Sequence, residues 1–213
     1  MTETVKKRIV LVAKHPVGGI LTFFSYIYGH ELFDEYDFTV VVPSQYQIQD
    51  SLRKIFSKRD LVYIPFESTT EMIIKTWNYL RENKVSLIHS HGFSAGLLMV
   101  PVAKYTKVPH IVTTHDVFQD VHFAGIVGGL KKITLSFMFS YMDAIHTVGQ
   151  EATSNFKEYF PSICCDKIHC ISNGIDTEEF YYAKPNKDYS KLREPGNFLI
   201  GFFGRFMSQK GFK

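Results

Sequence analysis

Short apolar runs rich in β-branched residues alternate along this chain with stretches of helical periodicity, and this alternation constrains the fold most. The first run, Arg8–Lys14, precedes a segment in which apolar residues recur at helical spacing: Leu21, Phe24, Tyr28 and Leu32. Strands that alternate with helices of about 10–15 residues form right-handed βαβ units around a parallel sheet. We therefore predict an α/β, Rossmann-like fold with a mostly parallel sheet and helices on both faces.

The same patterns place the remaining elements. The other predicted strands are Phe38–Val42, Leu61–Ile64, Ser86–His89, Val108–Thr113, Ala144–Val148 and Lys167–Ile171. The predicted helices cover residues 20–32, 47–58, 93–105, 130–141 and 150–159, and one more begins near residue 68. Ser68 and Glu71 have the spacing of a capping box, in which each side chain accepts from a free amide at the helix start.

The composition changes near the end of the sequence. Residues 1–182 are predicted to form one domain, and the Pro-, Lys- and Asn-containing stretch 183–196 a linker. Residues 197–213 then resemble the first strand and turn of a second, truncated domain. The apolar segment 198–203 would lack a sheet of its own, which makes it a candidate for self-association.

Charge and hydropathy exclude several classes of protein. A formal net charge of +3 is too small to predict a nucleic-acid partner. Every apolar run is shorter than the ~20 residues of a membrane-spanning helix, and the first residues lack the apolar region of a signal peptide. We expect a cytoplasmic chain whose clustered cysteines, Cys164, Cys165 and Cys170, are unpaired thiols.

One basic cluster leaves a membrane contact open. Arg53, Lys54, Lys58 and Arg59 most simply form a solvated helix face. With Ile55 and Phe56 between them, they are also a candidate for peripheral contact with anionic lipid at the inner membrane face.

Ligands of open α/β sheets bind beyond the carboxyl ends of the strands, so the residues there are the candidates for a site. Gly18 and Gly19 follow the first strand, and glycines let backbone amides approach a phosphate or a sugar. His91 follows the fourth strand and is either a packed, hydrogen-bonded histidine or, with His89, half of a metal site. His115 follows the fifth, where it would hydrogen-bond a substrate hydroxyl, shuttle a proton or have a structural role.

Two common nucleotide-binding motifs are absent from the sequence. It has no G-x-G-x-x-G and no G-x-x-x-x-G-K-[ST], which argues against nicotinamide or flavin enzymes and P-loop enzymes. Near the end, Arg205 and Lys210 flank a Gly-containing turn after an apolar run. Two cations at such a turn suit a diphosphate, although a solvated basic turn is an equal alternative.

Taken together, these stretches resemble the GT-B glycosyltransferases of family 4. The matching pieces are Pro16–Gly19, Leu87–Gly92, Val112–Asp116, Met142–Val148, Ser172–Asp176 with Phe180, and Gly204–Gly211. They occur in the family's order and span nearly the whole chain. Ser86 stands where the family usually has Asp, and Gly149 where Ser is common. The E-x7-E region of the family's second domain is not in the sequence.

The resemblance implies the fold and the general chemistry. The chain would be the N-terminal, acceptor-side half of a GT-B enzyme that transfers a sugar with retention of configuration, without a protein nucleophile. Donor and acceptor would be a nucleotide sugar and a glycan or lipid-linked molecule, in cell-surface polysaccharide synthesis. The 213-residue chain alone would be inactive. No cofactor and no metal are implied, because two cations would take the metal's role.

The resemblance also implies residue roles. Gly18 and Gly19 would lie near the donor phosphates, and His115 beside the transferred sugar. Arg205 and Lys210 would neutralise the diphosphate. Two further residues are candidates for the cleft beside His91, namely Asp116 and Asn173, although Asn173 more simply shapes the hinge.

Two alternatives are retained: another GT-B-like enzyme and, from a different class, a binding domain. A nucleotide-sugar epimerase with a GT-B-like fold would need acid/base carboxylates in the cleft, and none follows a strand at an obvious position. A non-catalytic domain that binds a glycan or a protein would suit the short chain, but it would have no use for Arg205 and Lys210.

Overall fold

A computed structural model of the protein describes residues 6–184, and the sheet in this range is wholly parallel. Its seven strands are β1 (Lys7–Ala13), β2 (Tyr36–Pro43), β3 (Leu61–Phe66), β4 (Leu87–His91), β5 (His110–Thr114), β6 (Ala144–Thr147) and β7 (Ile168–Cys170). Their order across the sheet is β3-β2-β1-β4-β5-β6-β7. The predicted α/β fold with a parallel sheet is thereby confirmed, with strand ends shifted by at most two residues.

Helices cover both faces of this sheet, as predicted. Six of them are α1 (Gly19–Phe23), α2 (Gln49–Ile55), α3 (Thr69–Glu82), α4 (Phe93–Thr106), α5 (Gly125–Ser140) and α6 (Gln150–Tyr159). Alternate residues of β1 enter separate cores: Leu11 packs with Phe24 and Leu52 on the side of α1 and α2, and Val12 with Met72 and Met99 of α3 and α4. A third core, around Phe139 and Phe156, joins α5 and α6 to the same face as α4.

Helix α3 starts as its sequence predicts. The Ser68 hydroxyl accepts from the amide of Glu71 at 3.1 Å, and the Glu71 carboxylate accepts from the amide of Glu67 at 2.6 Å.

The predicted helix over 20–32 is wrong in its second half. After α1 the chain continues as a π-helical turn, Phe24–Tyr28, closed by a hydrogen bond from the Gly29 amide to the Phe24 carbonyl at 3.0 Å. A side chain at Gly29 would collide with the Ser25 carbonyl, so this close turn requires glycine. Leu32 therefore lies in a separate 3₁₀ turn and is 77% exposed instead of facing the core.

Helix α5 begins five residues before the predicted start at residue 130. A side chain at Gly128 would overlap the backbone of Phe123, so close packing favours a glycine that helix propensity penalises. The outer face of α5 is also apolar, with an exposed stripe of Ile126, Leu130, Ile133 and Phe137 opposite the buried Leu135 and Phe139.

The basic cluster near α2 is not the continuous surface patch that the sequence predicts. The Arg59 side chain is only 1% exposed and donates to the carbonyl of His30 and to the Asp34 carboxylate, both at 2.6 Å. Phe56 is buried in the core beside Phe38. The surface cluster is therefore reduced to Arg53, Lys54 and Lys58. Within residues 6–184 no helix is both long and apolar enough to cross a membrane.

The chain divides into two compact units, Met1–Ile175 and Asp176–Lys213. The described part of the second unit contains one short helix, α7 (Thr177–Tyr181). The Asp176 carboxylate caps it by accepting from the amides of Glu178 and Glu179. The predicted strand in 197–213, the segment 198–203 and all but the start of the predicted linker lie outside the described residues.

Candidate active site

The strand order creates a switch point between β1 and β4. The chain continues from β1 into α1 on one face of the sheet and from β4 into α4 on the other face. The carboxyl ends of the neighbouring strands β1 and β4 therefore border a crevice. Gly18 and Gly92 lie at these ends with φ of +57° and +85°, a conformation that favours glycine. Side chains added at Gly18 or Gly19 would meet nothing within 4 Å, so this backbone faces open space.

Next to this crevice, polar side chains of three strands lie in one row. His91 of β4 pairs in register with Thr113 of β5, which pairs with His146 of β6. His89 lies on the same face as His91, two residues earlier, because side chains alternate along a strand. His115 follows β5 directly.

These side chains form an unbroken series of hydrogen bonds with Tyr28. Its distances, from one end to the other, are 3.1 Å for His115 Nε2 to His91 Nδ1, 3.0 Å for His91 Nε2 to Tyr28 Oη, 2.5 Å for Tyr28 Oη to His89 Nδ1, 2.7 Å for His89 Nε2 to Thr113 Oγ1, 2.9 Å for Thr113 Oγ1 to His146 Nδ1, and 2.8 Å for His146 Nε2 to the Ile171 carbonyl. We call this series the histidine relay. It links four imidazoles through two hydroxyls.

The π-helical turn and the residue before it pack against the relay. It carries Tyr28 to His89 and His91, and it directly follows Phe23, the last residue of α1. The Phe23 ring lies 5.3 Å from the ring of His91, 5.5 Å from that of His115 and 5.9 Å from that of His146. π-helical turns are rare and occur often at functional sites.

Burial keeps the imidazoles of the relay neutral. It lowers the pKa of His91 and of His89 well below 6.5, and neighbouring imidazoles lower both further. Burial lowers the pKa of His115 to about 4, although the Asp116 carboxylate acts in the opposite direction. The pKa of His146 is lowered for the same reason. At neutral pH each ring therefore has one N–H donor and one acceptor nitrogen.

The structure brings together some of the residues predicted from the sequence. Gly18, Gly19, His91 and His115 lie at one edge of the sheet, and His91 bonds His115 directly. Asp116 is exposed beside His115.

The other predicted site residues lie elsewhere. Asn173 is exposed after β7, the outermost strand, and is separated from β4 by β5 and β6. Arg205 and Lys210 lie outside the described residues.

Sequence reasoning missed Tyr28, Thr113 and His146 as members of the site. The position of His146 near the end of a strand was a signal for this residue. Its pairing with Thr113 depends on the register between two strands, which the sequence alone does not show. His89 and His91 are hydrogen-bonded on both ring nitrogens, which favours the packed interpretation over a metal site. In the described range, no group of three or more His, Cys, Asp or Glu side chains is placed to hold a metal ion.

A second polar feature lies at the carboxyl ends of β1, β2 and β3. It is a cavity of about 360 Å³ whose lining includes Lys14, His15, Ser44, Gln45 and Glu67. His15 is fixed there by a 2.8 Å hydrogen bond between its Nδ1 and Tyr46 Oη.

Comparison with known proteins identifies the family. The model of Glycosyltransferase Family 4 matches residues 26–179, well over half of the chain. The chain belongs to glycosyltransferase family 4. Over 134 residues this family 4 chain is 28% identical to the alpha-maltose-1-phosphate synthase of Mycolicibacterium smegmatis, a match that covers 59% of the chain and 35% of the relative. It thus spans about a third of the length of the curated relatives that it matches.

Solved structures show the same fold at low sequence identity. Anabaena HepE in complex with UDP has a TM-score of 0.69 at 16% identity, with 96% of this chain and 55% of that one covered. A UDP-GlcNAc 2-epimerase from Neisseria meningitidis, bound to UDP-GlcNAc, has a TM-score of 0.53 at 16% identity, with 79% and 46% covered. These likenesses, with the family match, confirm the predicted GT-B-type Rossmann-like sheet.

Proposed function

We propose that this family 4 chain is the acceptor-side part of a retaining glycosyltransferase that moves a sugar from a nucleotide sugar to a glycan or lipid-linked acceptor. One observation carries the proposal: a neutral histidine, His115, lies at the carboxyl edge of the sheet, the edge where the backbone of Gly18 and Gly19 faces open space. Two solved neighbours, Anabaena HepE with UDP-glucose and the Neisseria epimerase with UDP-GlcNAc, hold nucleotide sugars, which supports a donor of that class. Synthesis of a cell-surface polysaccharide at the cytoplasmic side is part of the same proposal.

Each residue then has a defined task. His115 would bond a hydroxyl of the transferred sugar, while backbone amides at Gly18 and Gly19 would approach the donor phosphates. Arg205 and Lys210 would stabilise the diphosphate leaving group by charge, without a metal. The sugar would leave and be attacked on one face, which retains its configuration without a protein nucleophile.

The cavity at the ends of β1–β3 is our candidate for the acceptor. Its polar lining supplies hydrogen-bond donors and acceptors that suit a hydroxylated molecule, and its volume of about 360 Å³ lies within the ~300–1,000 Å³ range of small-molecule sites. In an enzyme that contains this chain and a nucleotide-binding domain, Glu67→Gln should raise the KM for acceptor and leave that for donor unchanged. Equal changes in both constants would place the acceptor elsewhere.

Activity assays test the transfer reaction itself. The 213-residue chain with UDP-glucose and candidate glycans should give no transfer, because these residues match only 55% of the length of Anabaena HepE. Measurable transfer by this chain alone would contradict the proposal that it supplies only the acceptor side of the active site.

The epimerase neighbours favour a second candidate function. In an epimerase the nucleotide sugar alone would be converted to its epimer. Incubation of UDP-GlcNAc without acceptor therefore distinguishes the two functions in an enzyme that contains this chain and a nucleotide-binding domain. A pure binding domain would show glycan binding by calorimetry and no response to either nucleotide sugar.

Peripheral membrane contact rests on the three exposed residues Arg53, Lys54 and Lys58. Salt-sensitive flotation with phosphatidylserine vesicles would support it, and loss of binding in the triple Ala variant would locate it. Self-association through 198–203 is tested by light scattering, where a monomer at high concentration would contradict it.

A further inference from the structure

The histidine relay ends at an atom that can only accept. His146 Nε2 lies 2.8 Å from the Ile171 carbonyl oxygen, so this nitrogen must carry the proton. A neutral imidazole has one N–H, and His146 Nδ1 is therefore an acceptor. The hydroxyl of Thr113, 2.9 Å away, must donate to it.

This constraint passes from each member to the next. Since the Thr113 hydroxyl donates its only proton to His146, its oxygen accepts from His89 Nε2–H at 2.7 Å. His89 Nδ1 then accepts from the Tyr28 hydroxyl, and the Tyr28 oxygen accepts from His91 Nε2–H.

The last link determines the protonation of His115. With its proton on Nε2, His91 offers Nδ1 as an acceptor, so His115 Nε2 must donate across the 3.1 Å contact. The remaining nitrogen of His115, Nδ1, has no hydrogen-bond partner among residues 6–184 and carries a lone pair. No other proton arrangement of neutral rings satisfies all six hydrogen bonds.

We propose that Tyr28, His91, His89, Thr113 and His146 are positioning residues that hold His115 as its Nε2–H tautomer and present Nδ1 to the ligand as an acceptor. The group that His115 takes from a ligand must then be a donor, such as a sugar hydroxyl, and not a carbonyl or phosphate oxygen. This last statement rests on the proposed function, whereas the tautomer itself does not.

The tautomer is measurable without any ligand. Long-range ¹H–¹⁵N spectra of the imidazoles distinguish a protonated, pyrrole-type nitrogen from an unprotonated, pyridine-type one. For the 213-residue chain at pH 7.5, with His115 assigned from the spectrum of His115→Gln, we expect pyrrole-type Nε2 and pyridine-type Nδ1. A protonated Nδ1 would overturn the proposal.

Two near-isosteric variants test whether the relay causes this preference. Thr113→Val and Tyr28→Phe each remove one hydroxyl and cut His115 off from the Ile171 carbonyl. We expect the two His115 nitrogen signals to move towards each other as both tautomers become populated. The matched control is Thr39→Val, which removes another fully buried Thr hydroxyl, bonded to Tyr79 at 2.8 Å outside the relay.

The outcomes separate the two proposals. A His115 tautomer that is unchanged in both folded relay variants, or changed equally in Thr39→Val, would overturn the relay. If both relay variants failed to fold, as judged by amide spectra, the tautomer of His115 in the wild-type chain would decide whether the proposal holds. If UDP-glucose left the His115 signals unchanged in an enzyme that contains this chain and a nucleotide-binding domain, the proposed function would be contradicted. The relay would stand, because its spectra are recorded without ligand.

Discussion

The four histidines of the relay lie on one face of the sheet, and a single buried histidine, His110, lies on the other with its partner Ser90. We compare these two groups, the relay and the His110–Ser90 pair. The histidine relay lies at the carboxyl edge on the side of α1. On the other face, His110 begins β5 and its Nε2 bonds the hydroxyl of Ser90 at 2.9 Å. His110 is 1% exposed, and within the described residues its Nδ1 has no partner.

Residue type and charge do not distinguish these groups. Burial lowers the pKa of His110 to about 4, with Asp143 acting in the opposite direction, and it lowers the pKa of His115 to about the same value. The difference is position along the strand. His110, at the amino end of β5, has its unpaired nitrogen buried in the protein, whereas His115 follows the carboxyl end of β5, at the edge of the sheet where Gly18 and Gly19 lie. We therefore expect a buried neutral histidine to contact a ligand only where the topology opens a site next to it.

The largest expected difference between the groups is in catalysis. In an enzyme that contains this chain with its nucleotide-binding domain, His115→Ala should lower kcat by roughly 10²–10³-fold, as when a preorganised hydrogen-bonding group is removed. The matched variant His110→Leu should retain kcat within a few-fold, since it lies away from the crevice. Similar losses in the two variants would remove the distinction.

Removal of the aromatic ring that covers the relay should change the pKa of His115 and not that of His110. Phe23→Ala deletes a buried ring over three imidazoles and should lower the free energy of unfolding by about 3 kcal/mol. Water admitted there would raise the pKa of His115 from about 4 towards 6.5, while that of His110 stays low. Urea denaturation and imidazole NMR titration measure both effects, and an unmoved His115 pKa would show that another group excludes the water.

Both groups should make the fold sensitive to acid. The folded-state pKa values of these histidines lie below 6.5. As the pH falls from about 6.5 towards 4, their rings therefore bind protons in the unfolded chain but not in the folded one. Stability is therefore complete above about pH 7 and declines by up to about 1.4 kcal/mol per pH unit for each such ring. Urea midpoints at pH 7 and 5 should show the decline, and His110→Leu should reduce its slope by one ring's share. An unchanged slope in that variant would mean that His110 takes no part.

The smallest effect is expected at Ser90. Ser90→Ala deprives His110 of its hydrogen-bond partner and should cost about 1–2 kcal/mol of unfolding free energy. It should leave the His115 tautomer and kcat unchanged, because Ser90 points away from the relay. A changed tautomer would show that the two faces are coupled through β4.

The sequence predicts the edge of the site better than its interior. Strand ends follow from apolar runs and the residues that stop them, so Gly18, Gly19, His91 and His115 could be assigned to one edge. The row of His91, Thr113 and His146 could not, because it depends on register between β4, β5 and β6.

Two local features escaped prediction for physical reasons. The π-helical turn that brings Tyr28 into the relay differs from an α-helix by one residue, which a periodicity of 3.6 does not resolve over one turn. Arg59 and Phe56 look like surface residues in a charged stretch, but the carbonyls around Asp34 and the ring of Phe38 bury them. The roles of Arg205 and Lys210 stay predictions.

The most direct test of the account is a pair of imidazole ¹⁵N spectra, with and without UDP-glucose, of the enzyme containing this chain. We predict that ligand shifts the Nδ1 signal of His115, which remains protonated on Nε2, and leaves both signals of His110 unchanged. A His115 that is protonated on Nδ1, or a ligand response at His110 and none at His115, would contradict the claim that the relay presents His115 to the sugar.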